Sequence, residues 1–177
     1  MTASLVSEIE RLADAVGEAD SEAAGASLNR VAERIAQALR VQKDEVAILL
    51  LSDRMRILRF LVPEQLCHVG FIPLSSAHAL AARTVRNGKP EIINNFADAR
   101  HLNVFESVPL GREPGEVIQK IMSAPIKLES RVIGVVEVSH KGRTLAQAGP
   151  DFTQQDLREL STLARALGKF LRCFPRD

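Results

Sequence analysis

Residues 117–139 read VIQKIMSAPIKLESRVIGVVEVS, and the fold is decided in this stretch. Two runs rich in aliphatic and β-branched side chains, Val117 to Leu128 and Arg131 to Ser139, flank Glu129 and Ser130. So short a connection suits an antiparallel hairpin. Pro125 has no N–H to give to a ladder, so the first strand is expected to be an edge or to carry a bulge there. No other part of the chain is as sheet-like.

Toward the C-terminus, Thr153 and Asp156 form the pattern of a capping box, and Phe152 and Leu157 stand at the N′ and N4 positions of a hydrophobic staple. The start of a helix is therefore well defined. Leu157, Leu160, Ala164, Leu167, Leu171 and Phe174 follow at spacings of three and four. That is the heptad spacing of a coiled-coil seam, and it is equally the stripe of a helix packed on its own sheet.

Toward the N-terminus, residues 95–116 lose all periodicity around Pro109, Gly111, Pro114 and Gly115, and are read as a lid or variable loop. Before them, Glu91 to Asn94 is a short strand. Ala77 to Asn87 is a helix with Ser75 or Ser76 as its N-cap and Gly88 and Pro90 as its stop. Val46 to Leu51 is apolar without alternation, as expected of a central strand covered on both faces. Ser52 to Arg54 turns the chain into a second strand, Ile57 to Val62, adjacent and antiparallel. Two amphipathic helices come first, one with Leu5, Ile9, Leu12 and Val16 on its apolar face and one with Leu28, Val31, Ile35 and Leu39. The segment Gly17 to Ser27 between these stripes reads as a bend or a weakly helical bridge.

Composition bounds the function. The chain has 177 residues, 46% of them hydrophobic, which suits one core. Its 23 basic and 22 acidic residues nearly cancel, so no strong field favours nucleic acid or anionic membrane surfaces, and neither is expected as a partner. Residues 1–10 lack a basic n-region and an apolar h-region, and the longest apolar run, Val46 to Leu51, is far shorter than a membrane span. A soluble, cytoplasmic protein is expected. Cys67 and Cys173 form no CxxC pair and are read as reduced thiols. His68, His78, His101 and His140 show no HxxxH or HExxH spacing, and P-loops and nucleophile elbows are absent, so no enzyme class and no metal site has a specific signal.

Three stretches resemble the GAF domain family. Gly70-Phe71-Ile72-Pro73-Leu74, with Leu80-Ala81-Ala82-Arg83-Thr84-Val85 and Asn87-Gly88-Lys89-Pro90-Glu91-Ile92-Ile93-Asn94, is similar to that family's run from a strand through its pocket-side helix to the next strand. Ala124-Pro125-Ile126 leading into Val132-Ile133-Gly134-Val135-Val136-Glu137-Val138 resembles its second hallmark. The likeness implies an α/β (α+β) fold: a central antiparallel sheet of about five to six strands with helices on both faces and helical extensions at both termini. Residues 21–172 would form the domain, 1–20 an N-terminal helix for dimerisation or packing, and 173–177 a tail.

Some relatives that bind cyclic nucleotides carry an Asn-Lys, Phe, Asp-Glu signature. Lys141, Phe152 and Asp156 match three positions, while His140 and Leu157 replace the other two. The remnant is read as a structural clamp joining the last strand to the last helix. Cys67-His68 superficially resembles a bilin attachment site, but this chain has no Trp or Tyr to pack a chromophore. The relatives that reduce free methionine sulfoxide use neighbouring cysteines, whereas Cys67 and Cys173 lie on different elements. No cofactor is identified.

The family's cavity lies between sheet and covering helices. The resemblance therefore nominates Phe71, Asn94, Asn95, Asp98, His101 and Phe105 for an unknown small-molecule ligand, with Ser123 or Met122 and Glu137 across the cavity according to strand register. The asparagines and Asp98 fit an Asx-turn network equally well. The expected function is bacterial-type signalling: a sensory module, not an enzyme, that binds a small molecule, homodimerises through its terminal helices and signals to a separate protein. The alternatives are, in order, a ligand-free dimerisation or scaffold module and a thiol-based redox enzyme.

Overall fold

A computed structural model describes residues 2–16, 21–96 and 115–175. The helices are α1 (Thr2–Ala15), α2 (Ser21–Leu39), α3 (Leu80–Asn87) and α4 (Gln154–Leu171). The strands are β1 (Val46–Ser52), β2 (Ile57–Val62), β3 (Phe71–Pro73), β4 (Glu91–Ile93), β5 (Val117–Leu128) and β6 (Arg131–Gly142). They form one six-stranded sheet in the order β3-β2-β1-β6-β5-β4, every neighbouring pair antiparallel. The expected fold class is the observed one.

The hairpin β5–β6 is the long spine of the sheet, closed at Glu129, which takes a positive φ of 56°. Pro125 pairs with Val135 of β6. On its other side β4 reaches only Ile121 to Ser123, so the ladder position that proline cannot fill has no strand to meet. The register also slips between Ile126 and Lys127, a bulge next to the position where one was expected.

Alternation along the strands supplies two faces. Val46, Ile48, Leu50, Met122, Ala124, Ile126, Val136 and Val138 face α1, α2 and α4, and share one core with Leu28, Ile35, Leu160, Leu167 and Phe170. Leu49, Leu51, Leu58, Phe60, Ile72 and Val135 face the other way, against Ala81 and Ala82 of α3. Every named residue of the heptad stripe on α4 is buried within this one chain, as are Leu5, Ile9 and Ala13 of α1. The stripe is therefore a helix packed on its own sheet. Phe174, placed by the sequence in a tail, also belongs to that core.

Two local details differ from expectation. α3 starts at Leu80, later than Ala77, because the Ser76 hydroxyl accepts from the Ala79 N–H and spends its cap on the preceding turn. Its end is as expected: Gly88 adopts φ 62° and its N–H donates to the Thr84 carbonyl. α4 has the capping box in full, with Thr153 and Asp156 bonded reciprocally. No described helix is long and apolar enough to cross a membrane.

Candidate functional site

Strand register places a row of side chains across the face beneath α3. Glu91 of β4 lies opposite Ser123 of β5, Ser123 opposite Glu137 of β6, and Glu137 opposite Ala47 of β1. Paired residues of an antiparallel ladder share a face, so the row runs over four strands. Met122 points into the other core, which leaves Ser123 as the inward residue of the two that the sequence left open.

Each polar member of the row has a different fate. The Arg83 guanidinium of α3 donates to both oxygens of Glu91, at 3.0 and 2.7 Å, a bidentate pair that ties helix to edge strand. Thr84, one residue on, reaches down so that its Oγ1 donates to Ser123 Oγ at 2.8 Å, and both hydroxyls are buried. With Thr84 as donor, the Ser123 proton is free to serve the adjacent carboxyl of Glu137. That carboxyl is pushed up to about 7 by burial, against which the Ser123 hydrogen bond acts downward. Its Oε1 is buried without a hydrogen-bond partner. Ala47, at the end of the row, offers only a methyl group.

A carboxylate oxygen enclosed by protein and left unpaired is costly, and few native groups stay in that state without a reason. Glu137 replaces what its neighbour Val135 does on the same face, which is to pack against apolar side chains. The position is thus polar where the pattern of the strand calls for another aliphatic residue.

A family profile described as GAF domain matches residues 25–172. The chain belongs to the GAF family. Among solved structures, the GAF domain of Acinetobacter phosphoenolpyruvate-protein phosphotransferase is similar, at 19% identity and a TM-score of 0.67, over 96% of this chain and 91% of that one. Free methionine-R-sulfoxide reductase from Neisseria meningitidis, solved in complex with its substrate, has 18% identity and a TM-score of 0.63, over 97% and 89%. Residues 122 to 287 of a methyl-accepting chemotaxis protein have 15% identity and a TM-score of 0.66, over 94% of each chain. At these identities the likeness is one of fold. No curated protein matches the chain.

Within this GAF domain the nominated residues separate. Ser123 and Glu137 come together as described. Phe71 does not join them: it pairs with Arg59, while its neighbour Ile72 pairs with Leu58 in the core beneath α3. Phe71 therefore faces the opposite side, 56% exposed on the edge strand. Asn94 is a fastener, because its Oδ1 accepts from the Phe152 N–H at 2.9 Å and its Nδ2 donates to the Phe152 carbonyl at 3.0 Å. With both ends of the amide engaged, the residue joins the end of β4 to the start of α4. Asn95 is exposed. Asp98, His101 and Phe105 lie outside the described residues.

The expected clamp of Lys141, Phe152 and Asp156 takes other partners. Lys141 Nζ donates to the Asp44 carbonyl at 2.8 Å and lies 3.4 Å from its carboxylate, since its strand runs beside the 3-10 turn Lys43–Glu45. Asp156 closes the capping box of α4 instead. Phe152 stacks on His140 with ring centroids 4.3 Å apart and planes 8° from parallel. The lysine that ties the sheet to the segment before α4 is Lys120, whose Nζ reaches Asp151 at 2.8 Å and the Gly149 carbonyl at 2.6 Å. Sequence reasoning missed Lys120, and Thr84 with it. Thr84 had a signal: it follows Leu80 by four residues, so the hydroxyl sits on the buried stripe of its helix.

Both thiols are turned to backbone. Cys67 Sγ donates to the Leu61 carbonyl at 3.4 Å and Cys173 Sγ to the Val16 carbonyl at 3.6 Å. Burial, and then the charge of Glu64, push the Cys67 thiol up, which keeps it protonated at neutral pH. Among the described residues no group of three His, Cys, Asp or Glu side chains is arranged to hold a metal ion.

Proposed function

We propose that this GAF domain is a sensory module that binds a small molecule on the α3 face of the sheet, centred on Glu137, and passes the bound state to a separate signalling protein. The observation that carries this reading is the buried, unpartnered Oε1 of Glu137 beside the Thr84–Ser123 pair. A donor brought by a ligand would satisfy that oxygen. α3 rests on the same row through Thr84 and Arg83, so occupancy would be felt by the helix, which is how a local contact biases a two-state element. The similar GAF domain of a phosphotransferase and the similar segment of a methyl-accepting chemotaxis protein support a regulatory setting.

Catalysis is not part of the proposal. The likeness to a methionine sulfoxide reductase extends to the fold, while the raised Cys67 thiol and the buried Cys173 give thiol chemistry no support. The near-neutral charge argues against nucleic acid and membrane partners. A cytoplasmic homodimer remains part of the proposal, but its interface no longer includes the heptad residues, which are core.

Native mass spectrometry of the freshly purified chain tests the reading. A retained small molecule, lost from the Ser123→Leu variant while circular dichroism stays unchanged, is the expected result. A chain that arrives empty and gains no thermal stability from any compound of a metabolite library would reject it in favour of the scaffold.

A further inference from the structure

We propose that the ligand presents a protonated amine to Glu137, a proposal that rests on the small-molecule reading above and names the chemistry of its anchor. Across the row, every other charge and hydroxyl is already matched. Glu91 has both oxygens on Arg83, and Thr84 donates to Ser123, whose own proton serves the other oxygen of Glu137. Glu137 alone in that row keeps a buried oxygen without a donor. In its ionised form the carboxyl accepts only, so the group which that form lacks is a donor.

The kind of donor follows from what burial costs. A neutral N–H or O–H would fill the hydrogen bond but leave a charge stranded in protein, whereas an ammonium supplies both the bond and the opposite charge. An anion would be repelled by Glu137 itself. Of the two cations on the helix above, Arg83 is held by Glu91 and Arg86 donates to the Leu74 and Ser76 carbonyls. Burial already makes the carboxyl reluctant to ionise near neutral pH, and a bound ammonium would draw it back to the charged form. Ser123, pinned by Thr84, would keep the carboxyl turned to the same place in both states, a positioning role.

The test is calorimetry and thermal denaturation of the full chain with free L-amino acids, putrescine and spermidine, each compared with its N-acetylated form. At least one free amine should bind the wild-type chain and raise its Tm, and its fully acetylated counterpart should not. Glu137→Gln should weaken that binding at least tenfold, and Thr84→Val should weaken it less. Because acetylation alters the probe and not the protein, a variant that misfolds leaves the comparison intact. Equal binding of the acetylated forms, undiminished binding to Glu137→Gln, or no binding by any amine would overturn the proposal. A retained molecule without an amine in native mass spectrometry would overturn it too, while leaving the small-molecule reading in place.

Discussion

At position 137 a glutamate stands two residues from Val135 on the face that packs under α3, and its carboxyl shows what polarity costs there. Burial raises its pKa from the ordinary 4.5 to about 7. Between those values the folded chain holds a proton that the unfolded chain has released, so stability falls as pH rises through that window. The penalty, complete above about pH 7, is on the order of 3 kcal/mol by the conversion of 1.36 kcal/mol per pKa unit. In the ligand-free protein, Glu137→Gln should remove this dependence and match or exceed wild-type stability at pH 8, with little difference near pH 4. Urea denaturation across that range checks it, and parallel slopes for the two proteins would count against a buried, unpaired carboxyl. Glu137 and Ser123 were legible because alternation identifies inward positions once a register is chosen. Asn94 was nominated for its polarity near a loop, a signal that does not reveal that its amide spans the Phe152 backbone.

Among the elements, α4 shows how closely a helix can be set by its residues. Its cap is a local device, written in Thr153 and Asp156, and needs nothing from the rest of the chain. Its depth on the sheet is not local. A Cβ built at Gly168 would stand 2.0 Å from the Lys127 carbonyl oxygen, at the turn end of the hairpin, so that glycine lets helix and strand backbones touch. Gly168→Ala gains helix propensity, yet should destabilise the protein by about 1–3 kcal/mol through overpacking, read as a lower urea midpoint. A stability equal to wild type would mean that α4 can rise off the hairpin without loss. α3 teaches the converse about caps. Ser75 and Ser76 both look like helix starts, and only the observed bond from Ala79 N–H to Ser76 shows a turn ahead of the helix.

For the whole molecule, the decisive fact is which partner the heptad stripe meets. Leu160 and Leu167 are fully buried against the sheet and α1, in the same core as Ile9 and Leu28. Leu160→Asp should therefore unfold the chain, because burying an unpaired carboxylate there costs several kcal/mol. Circular dichroism together with sedimentation velocity separates the possibilities: a folded monomer from a wild-type dimer would return the stripe to an intermolecular seam. Sedimentation of the wild-type chain by itself tests the proposed homodimer. Arg34 of α2 pairs with Glu8 of α1, and Lys169 of α4 lies 3.9 Å from Glu10 of α1, so charged pairs mark the solvent edges where these helices meet.

By itself the sequence determined the hairpin, the central strand, the helices and their order, and hence the GAF family, because alternation, 3.6-residue periodicity and capping are written in neighbouring residues. Lys141, Phe152 and Asp156 it nominated as one clamp between the last strand and the last helix. Tertiary structure alone decided their partners, the choice of Ser123 over Met122, the outward turn of Phe71 and the meeting of Thr84 with Ser123. Each depends on which residues from distant parts of the chain share a face. A one-residue change of register would reverse every such assignment while leaving the local pattern untouched.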